Sequence, residues 1–182
     1  MIDNIIKVDL ACGGNKKSEE YIGVDISNIE GVDIVHNLNT YPWPFEDNSV
    51  DVVNCSHYIE HIPHDVYNND NRDGFIQFMD ELYRILKPGG VATISAPYYT
   101  SSRAYGDPTH VRHICDMTFF YLSKEWRDNN KLSHYNINCN FNVRSSYLVT
   151  DEISLKSRPV QNESFKHDWN VIEDITAELT KI

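Results

Sequence analysis

Glycine is scarce in this 182-residue chain, and the few glycines present rule out two familiar phosphate-binding loops. No G-K-[ST] triplet occurs, which excludes a P-loop, and no glycine follows Gly14 until Gly23, which breaks the G-x-G-x-x-G fingerprint of nicotinamide-binding folds. Paired cysteines are missing as well. Cys12, Cys55, Cys115 and Cys139 lie far apart without a C-x-x-C pair, so reduced thiols in a cytoplasmic protein are expected rather than a disulfide framework. There is no apolar run of bilayer-spanning length, and the start Met1-Ile2-Asp3 lacks the basic and apolar regions of a signal peptide, so no membrane partner is expected. Positive charge is short too. Sixteen Lys and Arg face 27 Asp and Glu, for a net charge of −11. Such a surface repels phosphate backbones, and no local basic patch offsets it, which argues against duplex nucleic acid as a partner. No internal repeat or low-complexity tract appears, and Asn68-Asn69-Asp70-Asn71 reads as a polar loop. Eighteen asparagines with abundant Ile and Lys suggest an AT-rich genome, bacterial or phage.

What is present begins at once. Ile5 to Leu10 is a short apolar run that reads as a buried strand. It runs into Ala11-Cys12-Gly13-Gly14-Asn15-Lys16-Lys17, and a second strand, Tyr21-Ile22-Gly23-Val24-Asp25, follows. A strand, a glycine turn and a second strand ending in an acid form a nucleotide-binding half-site. The glycines let backbone amides approach a ligand, and the acid accepts hydrogen bonds from ribose hydroxyls. The acid comes only twelve positions after Gly13, too early for a nicotinamide site, so a dehydrogenase is disfavoured.

Val8-Asp9-Leu10-Ala11-Cys12-Gly13-Gly14 resembles the first motif of class I S-adenosylmethionine (SAM)-dependent methyltransferases, commonly D-L-G-C-G, with Ala11 where a glycine is usual. Gly23-Val24-Asp25 resembles the second motif, and Leu86-Lys87-Pro88-Gly89-Gly90 the helix-ending signature before the fifth strand. The three occur in family order across residues 5 to 97. They are most similar to a compact bacterial or phage-type member of the methyltransferase type 11 group.

The remaining chain alternates strands and helices. Val32 to His36 and Val50 to Cys55 read as the third and fourth strands, with Pro42 and Pro44 excluding a regular element between them. Phe75, Phe78, Met79, Leu82, Ile85 and Leu86 recur at helical spacing after a capping Asp73. Val91 to Ala96 reads as the fifth strand, 98–116 as irregular, and 118–127 as a short helix. Phe141 to Val149 and Ile172 to Ile182 read as two last strands. The resemblance implies an α/β fold: a doubly wound, Rossmann-like, seven-stranded, mostly parallel sheet in three layers, ending in an antiparallel strand hairpin. Residues 1–182 are expected to form a single domain, with 98–140 as an acceptor-side insertion or lid. Only about ten residues link the first two strands, the lower limit for a parallel crossover, so any helix there must be short or unwound. No helix precedes the first strand. Cover for the acceptor side is therefore expected from 98–140, from the 63–72 loop, or from a second copy in a homodimer.

Ligands in such sheets bind at the carboxyl ends of the strands. The resemblance implies that Asp9 organises the loop meeting the methionine part of SAM and that Ala11, Cys12 and Gly13 offer backbone contacts. It implies further that Asp25 binds ribose, that Ile26, Asn37 and Leu38 surround the adenine, and that Ser56 and His57 face the sulfonium. His57 and His61, four apart with Glu60 and His64 nearby, have the spacing of a metal site on a helix. The stretch also resembles the family's S-H-x-L-E-H-I, which generally binds no metal, so none is expected, and His61 is read as satisfying core polar groups.

The second histidine cluster, Gly106-Asp107-Pro108-Thr109-His110-Val111-Arg112-His113, falls in the segment after the fifth strand, where acceptor sites are built. His110 or His113 can remove an acceptor proton, Asp107 can orient that imidazole, and Arg112 can grip an acceptor carboxylate or phosphate. The competing reading is an ion-pair network that only fixes the loop. The expected activity is methyl transfer from SAM, leaving S-adenosylhomocysteine, to an oxygen or nitrogen of a small-molecule acceptor. The alternative is a SAM-binding partner or regulatory module without turnover.

Overall fold

Polar and apolar residues alternate along the central strands, and the sheet is built accordingly. The computed structural model describes residues 5–64 and 72–182. Seven strands join one sheet: β1 (Lys7–Leu10), β2 (Tyr21–Asp25), β3 (Ile34–Val35), β4 (Val50–Ser56), β5 (Leu86–Pro97), β6 (Phe141–Val149) and β7 (Ile172–Lys181). Their order is β3-β2-β1-β4-β5-β7-β6. β1 to β5 pair in parallel, and β7 runs antiparallel to both β5 and β6. This is the seven-stranded, mostly parallel sheet expected, its antiparallel C-terminal pair included. The order reverses at β1, which lies between β2 and β4, so the crevice opens at the carboxyl ends of β1 and β4.

The helices are α1 (Gly74–Ile85), α2 (Arg103–Gly106), α3 (Asp116–Phe120), α4 (Lys124–Asn129), α5 (Asp151–Ser154) and α6 (Arg158–His167). Short 3-10 turns cover Ile59–His61 and Ser133–Tyr135. Several bounds differ from the sequence reading. The third strand shrinks to two residues, the single helix over 118–127 becomes α3 and α4, the 98–116 segment contains α2, and α5 and α6 separate the last two strands. Lys87 to Gly90 end α1 as expected, yet they already belong to β5. The register jumps from Val50↔Leu86 to Val52↔Val91, so the Pro-Gly-Gly stretch is a bulge that starts the strand. The Asn68–Asn71 loop lies outside the described residues, and of the 63–72 cover only Pro63, His64 and Arg72 are described.

The main departure concerns layering. Residues 11–49 contain no helix, so loops make every connection from β1 to β4. One face of the sheet is apolar and buried: Val8, Leu10, Val24, Val53, Cys55, Ala92, Ile94, Ile175, Ala177 and Leu179. The other carries Lys7, Asp9, Asn54, Thr93, Ser95, Thr176 and Glu178, most of them partly exposed. Strands covered by helices on both faces read as continuous apolar runs, and these do not. On the apolar face α1 supplies Phe75, Phe78, Met79, Leu82 and Ile85 to the core. Each full burial of such a side chain stabilises by about 1.5–3 kcal/mol. Trp43 takes part without a helix to carry it: its indole packs edge-on against Phe78 at 5.0 Å and donates to the Leu38 carbonyl at 3.0 Å. Among the described residues no helix is long and apolar enough to cross a membrane.

Asp73 caps α1, its Oδ1 accepting from Phe75 N at 2.9 Å, and also holds Arg112 at 2.9 Å. Burial pushes its pKa up, but hydrogen bonds from Arg112 and His64 outweigh burial and hold it below the usual carboxylate value. A depressed folded pKa stabilises above the unfolded value of about 3.9, and that stability disappears as pH falls through the folded value. Asp73→Ala is therefore expected to cost about 1–2 kcal/mol at neutral pH in urea titration. Asp73→Asn should begin to approach the parent as pH falls below about 3.9 and converge with it only below the depressed folded value. A second test concerns Ala11, which has φ +54° in the turn after β1. A left-handed non-glycine residue costs about 1–2 kcal/mol, and glycine's extra unfolded-state entropy takes back about 0.5–1 kcal/mol. Ala11→Gly should thus stabilise by about 0.5 kcal/mol, a Tm rise of roughly 1–2 °C by calorimetry.

Candidate active site

The loop that replaces the first crossover helix is fixed by one buried carboxylate. Asp9 Oδ1 accepts from Asn54 Nδ2 at 2.6 Å and Oδ2 from Lys17 N at 2.7 Å, while Lys17 Nζ donates to Asn54 Oδ1 at 2.9 Å. β1, β4 and the far end of the 11–20 loop are thereby tied together. The near end is tied to β2: Cys12 N donates to Val24 O at 3.2 Å and Gly13 N to Asp25 Oδ2 at 3.0 Å. Asp25 Oδ1 accepts from Ser27 N at 2.9 Å. A carboxylate offers about four lone-pair positions, so Asp25 retains two for outside donors such as a ribose diol.

Asp9, Ala11, Cys12 and Ser56 line a groove of about 400 Å³, together with Asn15, Lys17, Asn54, Thr93 and Ser95. Gly13 has φ +54°, and no atom lies within 4 Å of where its Cβ would be, so a ligand can approach the backbone there. Ile26 is 65% exposed at the end of β2, free to cover an adenine face. Asn37 is exposed, its Oδ1 accepting from Asn39 N at 3.0 Å. Leu38, by contrast, is buried in the core beside Trp43, so only Asn37 of that pair faces outward. These residues fit the adenosyl and methionyl parts of SAM: an acid for a diol, open backbone at Gly13 and an exposed aliphatic side chain for a base.

Ser56 leads directly into a second cluster. His57 adopts φ +53°, and its amide donates to Ser95 O at 2.8 Å, turning the chain from β4 into the Ile59–His61 turn. The Glu60 carboxylate is consequently buried, 1% exposed, and neither oxygen accepts a hydrogen bond. His57 Nδ1 lies 3.5 Å from Glu60 Oε1 and its Nε2 lies 3.8 Å from Asp174 Oδ2. Glu60 raises the His57 pKa above its ordinary value, with burial opposing and Asp174 adding to the rise. Asp174, whose own pKa is pushed up by burial, also accepts from Arg103 Nη1 at 2.8 Å.

The second motif divides. His110 turns inward: Nδ1 donates to Ala104 O at 3.1 Å and Nε2 is 4.0 Å from Glu60 Oε1. Asp107 Oδ1 accepts from Thr109 N at 2.8 Å and Thr109 Oγ1 at 2.6 Å. Arg112 donates to Ile62 O at 2.6 Å, to Pro63 O at 2.9 Å and to both Asp73 oxygens. For Asp107 and Arg112 this is the loop-fixing network. His113 is separate, packed on Tyr105 at 4.7 Å, and Tyr105 meets Trp169 at 6.2 Å. Of the residues named from sequence, Asp9, Ala11, Cys12 and Ser56 share one groove and His110 approaches Glu60, while Arg103, Asp174 and Trp169 were not among them. Asp174 follows Glu173 near the start of β7, and the Pro97↔Asp174 pairing of β5 with β7 shows where it leads.

Residues 8–94 match the sequence profile of the family described as a methyltransferase domain. No curated protein matches in sequence. A SAM-dependent methyltransferase from Archaeoglobus fulgidus superposes with a TM-score of 0.64 at 19% identity, over 97% of this chain and 86% of that one. The YcgJ protein of Bacillus subtilis gives 0.56 at 13% identity, over 97% and 92%. A SAM-dependent methyltransferase from Mesorhizobium loti gives 0.55 at 14%, over 97% and 91%. At these identities the structural likeness carries the fold, and the matched segment contains the glycine turn, Asp25 and the helix-ending signature. Residues 8–94 thus resemble a methyltransferase domain, and nearly the whole chain shares the fold of these structures.

Proposed function

We propose that this protein transfers the SAM methyl group to an oxygen or nitrogen of a small-molecule acceptor. One observation carries the reading: Ser56, which lines the cofactor-side groove, adjoins His57, which faces a buried Glu60 and Asp174. Cofactor side and acceptor side thus meet at the carboxyl end of β4. When bound, SAM supplies a sulfonium methyl already activated for in-line displacement, so the protein's task is positioning. Holding two reactants in near-attack geometry contributes roughly 7–11 kcal/mol of barrier lowering.

Asp25 holds the ribose, Asp9 keeps the loop around Gly13 in shape, and Ile26 and Asn37 border the adenine. Residues 98–140 supply the acceptor-side cover within a single domain formed by the chain. His110 is occupied by Ala104 O and Glu60, and His113 lies out on Tyr105, which leaves His57 as the histidine best placed to take an acceptor proton. Arg103 is half exposed beside Asp174, and the exposed ring of Trp169 packs against the exposed Tyr99 and Tyr105. A cation beside stacking rings suits an acceptor with a flat ring and an anionic or strongly polar substituent. The net charge of −11 works against long polyanions.

Calorimetric titration with SAM and S-adenosylhomocysteine tests the cofactor assignment. Asp25→Ala should weaken both by at least about 100-fold, from the loss of hydrogen bonds to a charged acceptor; parent-like affinity in that variant would sink the assignment. His57→Ala should bind S-adenosylhomocysteine nearly as the parent does while turnover drops by about 10²-fold or more. Unchanged turnover would remove His57 from the chemistry.

A further inference from the structure

We propose that Glu60, His61 and His110 form a binding site for a divalent first-row transition ion, zinc in the first instance. Each offers one ligand atom, and the three atoms lie within 4.8 Å of one another. A tetrahedral zinc with bonds of about 2.0–2.1 Å spaces its ligand atoms about 3.4 Å apart, so small side-chain rotations close the set. Two imidazoles and one carboxylate with a remaining open position are the donors such ions take.

Two independent features point to a cation rather than to a chance cluster. The first is the carboxylate itself. Glu60 is 1% exposed and accepts no hydrogen bond on either oxygen. Among the described residues, the basic side chains facing it are imidazoles, His57 Nδ1 at 3.5 Å and His110 Nε2 at 4.0 Å. A buried carboxylate left in this condition is costly unless a positive charge completes its surroundings.

The second feature is the orientation of the rings. His110 Nδ1 is committed to Ala104 O at 3.1 Å. His61 Nδ1 lies 3.0 Å from Thr109 Oγ1, whose own hydrogen goes to Asp107 Oδ1 at 2.6 Å. Thr109 therefore accepts from His61. Both rings are fixed in the tautomer that presents Nε2 as a lone pair, the outer-shell arrangement typical of metal-bound histidine. Ala104 O and the Asp107–Thr109 pair act as positioning groups.

Even the residues that looked structural serve this site. Val111 N and Arg112 N both donate to Glu60 O, at 2.9 and 3.2 Å, and Arg112 clamps Ile62 O and Pro63 O. The segment after β4 and the segment after α2 are thereby locked face to face. Two motifs distant in sequence, Glu60-His61 and Asp107-x-Thr109-His110, converge on one point beside His57. The site stands without the methyl-transfer reading, since it needs neither cofactor nor acceptor.

The test uses full-length protein stripped with a chelator and titrated with Zn²⁺ against a chromophoric competitor. Co²⁺ titration, followed by visible absorption, reads the ligand field. The parent should take up a single equivalent tightly, with a Co²⁺ spectrum of four- or five-coordinate intensity. Glu60→Gln and His110→Ala should each weaken Zn²⁺ by at least about 100-fold, and Thr109→Val by about 10-fold. Exposed His134→Ala should change nothing. The thermal shift given by S-adenosylhomocysteine checks that each variant is folded and reports on the cofactor site separately. A parent without stoichiometric Zn²⁺ or Co²⁺ uptake overturns the proposal. So does parent-like affinity in folded Glu60→Gln and His110→Ala.

Discussion

The arrangement of the crevice depends on the buried Asp9 carboxylate. It accepts from Asn54 on β4 and from the backbone of Lys17, so one side chain holds two neighbouring strands and the end of a ten-residue crossover. In a doubly wound fold a helix normally does this work, by packing its apolar face on the sheet. Here two charge-assisted hydrogen bonds take over, and they are strong because Asp9 is shielded from water. The turn at Ala11 to Gly13 is thereby held open over the strand ends, and Asp25 closes it from the β2 side.

Strand order and the likeness to a methyltransferase domain were legible because their signals are local. A glycine turn after an apolar run, an acid ending the next strand and a helix ended by Lys-Pro-Gly-Gly each depend on a few neighbouring residues. The thin outer layer was legible too, although the family resemblance pointed away from it. Ala92-Thr93-Ile94-Ser95-Ala96 and Ile175-Thr176-Ala177-Glu178-Leu179 alternate strictly, the pattern of strands with one wet face. The shortness of β3 and the helices between β6 and β7 were not legible. Val32 to His36 has strand composition, but only Ile34 and Val35 find ladder partners on β2. Over 150–168 a weak apolar pattern gives way to packing by single residues such as Phe165 on Tyr147.

The acceptor side shows where sequence reasoning stops. His110 carries a recognisable motif, yet whether it faces substrate or core depends on Glu60, fifty residues earlier. Arg112 has the right chemistry to hold an anion and instead ties three loop and cap positions together, because Ile62 O, Pro63 O and Asp73 reach it first. Arg103 and Asp174 come together only through the antiparallel pairing of β7 with β5. No spacing rule connects residues 71 positions apart on a sheet edge.

The solvated face of the sheet also bears on how such a chain can change over generations. In a parallel sheet sealed on both sides, nearly every strand residue is constrained by volume, and drift is confined to loops and helix exteriors. In this protein every second residue of β5 and β7 answers mainly to water, so polar exchanges there leave the packed interior untouched. The central strands can therefore diverge in sequence at half their positions while the apolar half preserves the register, and with it the alignment of the crevice.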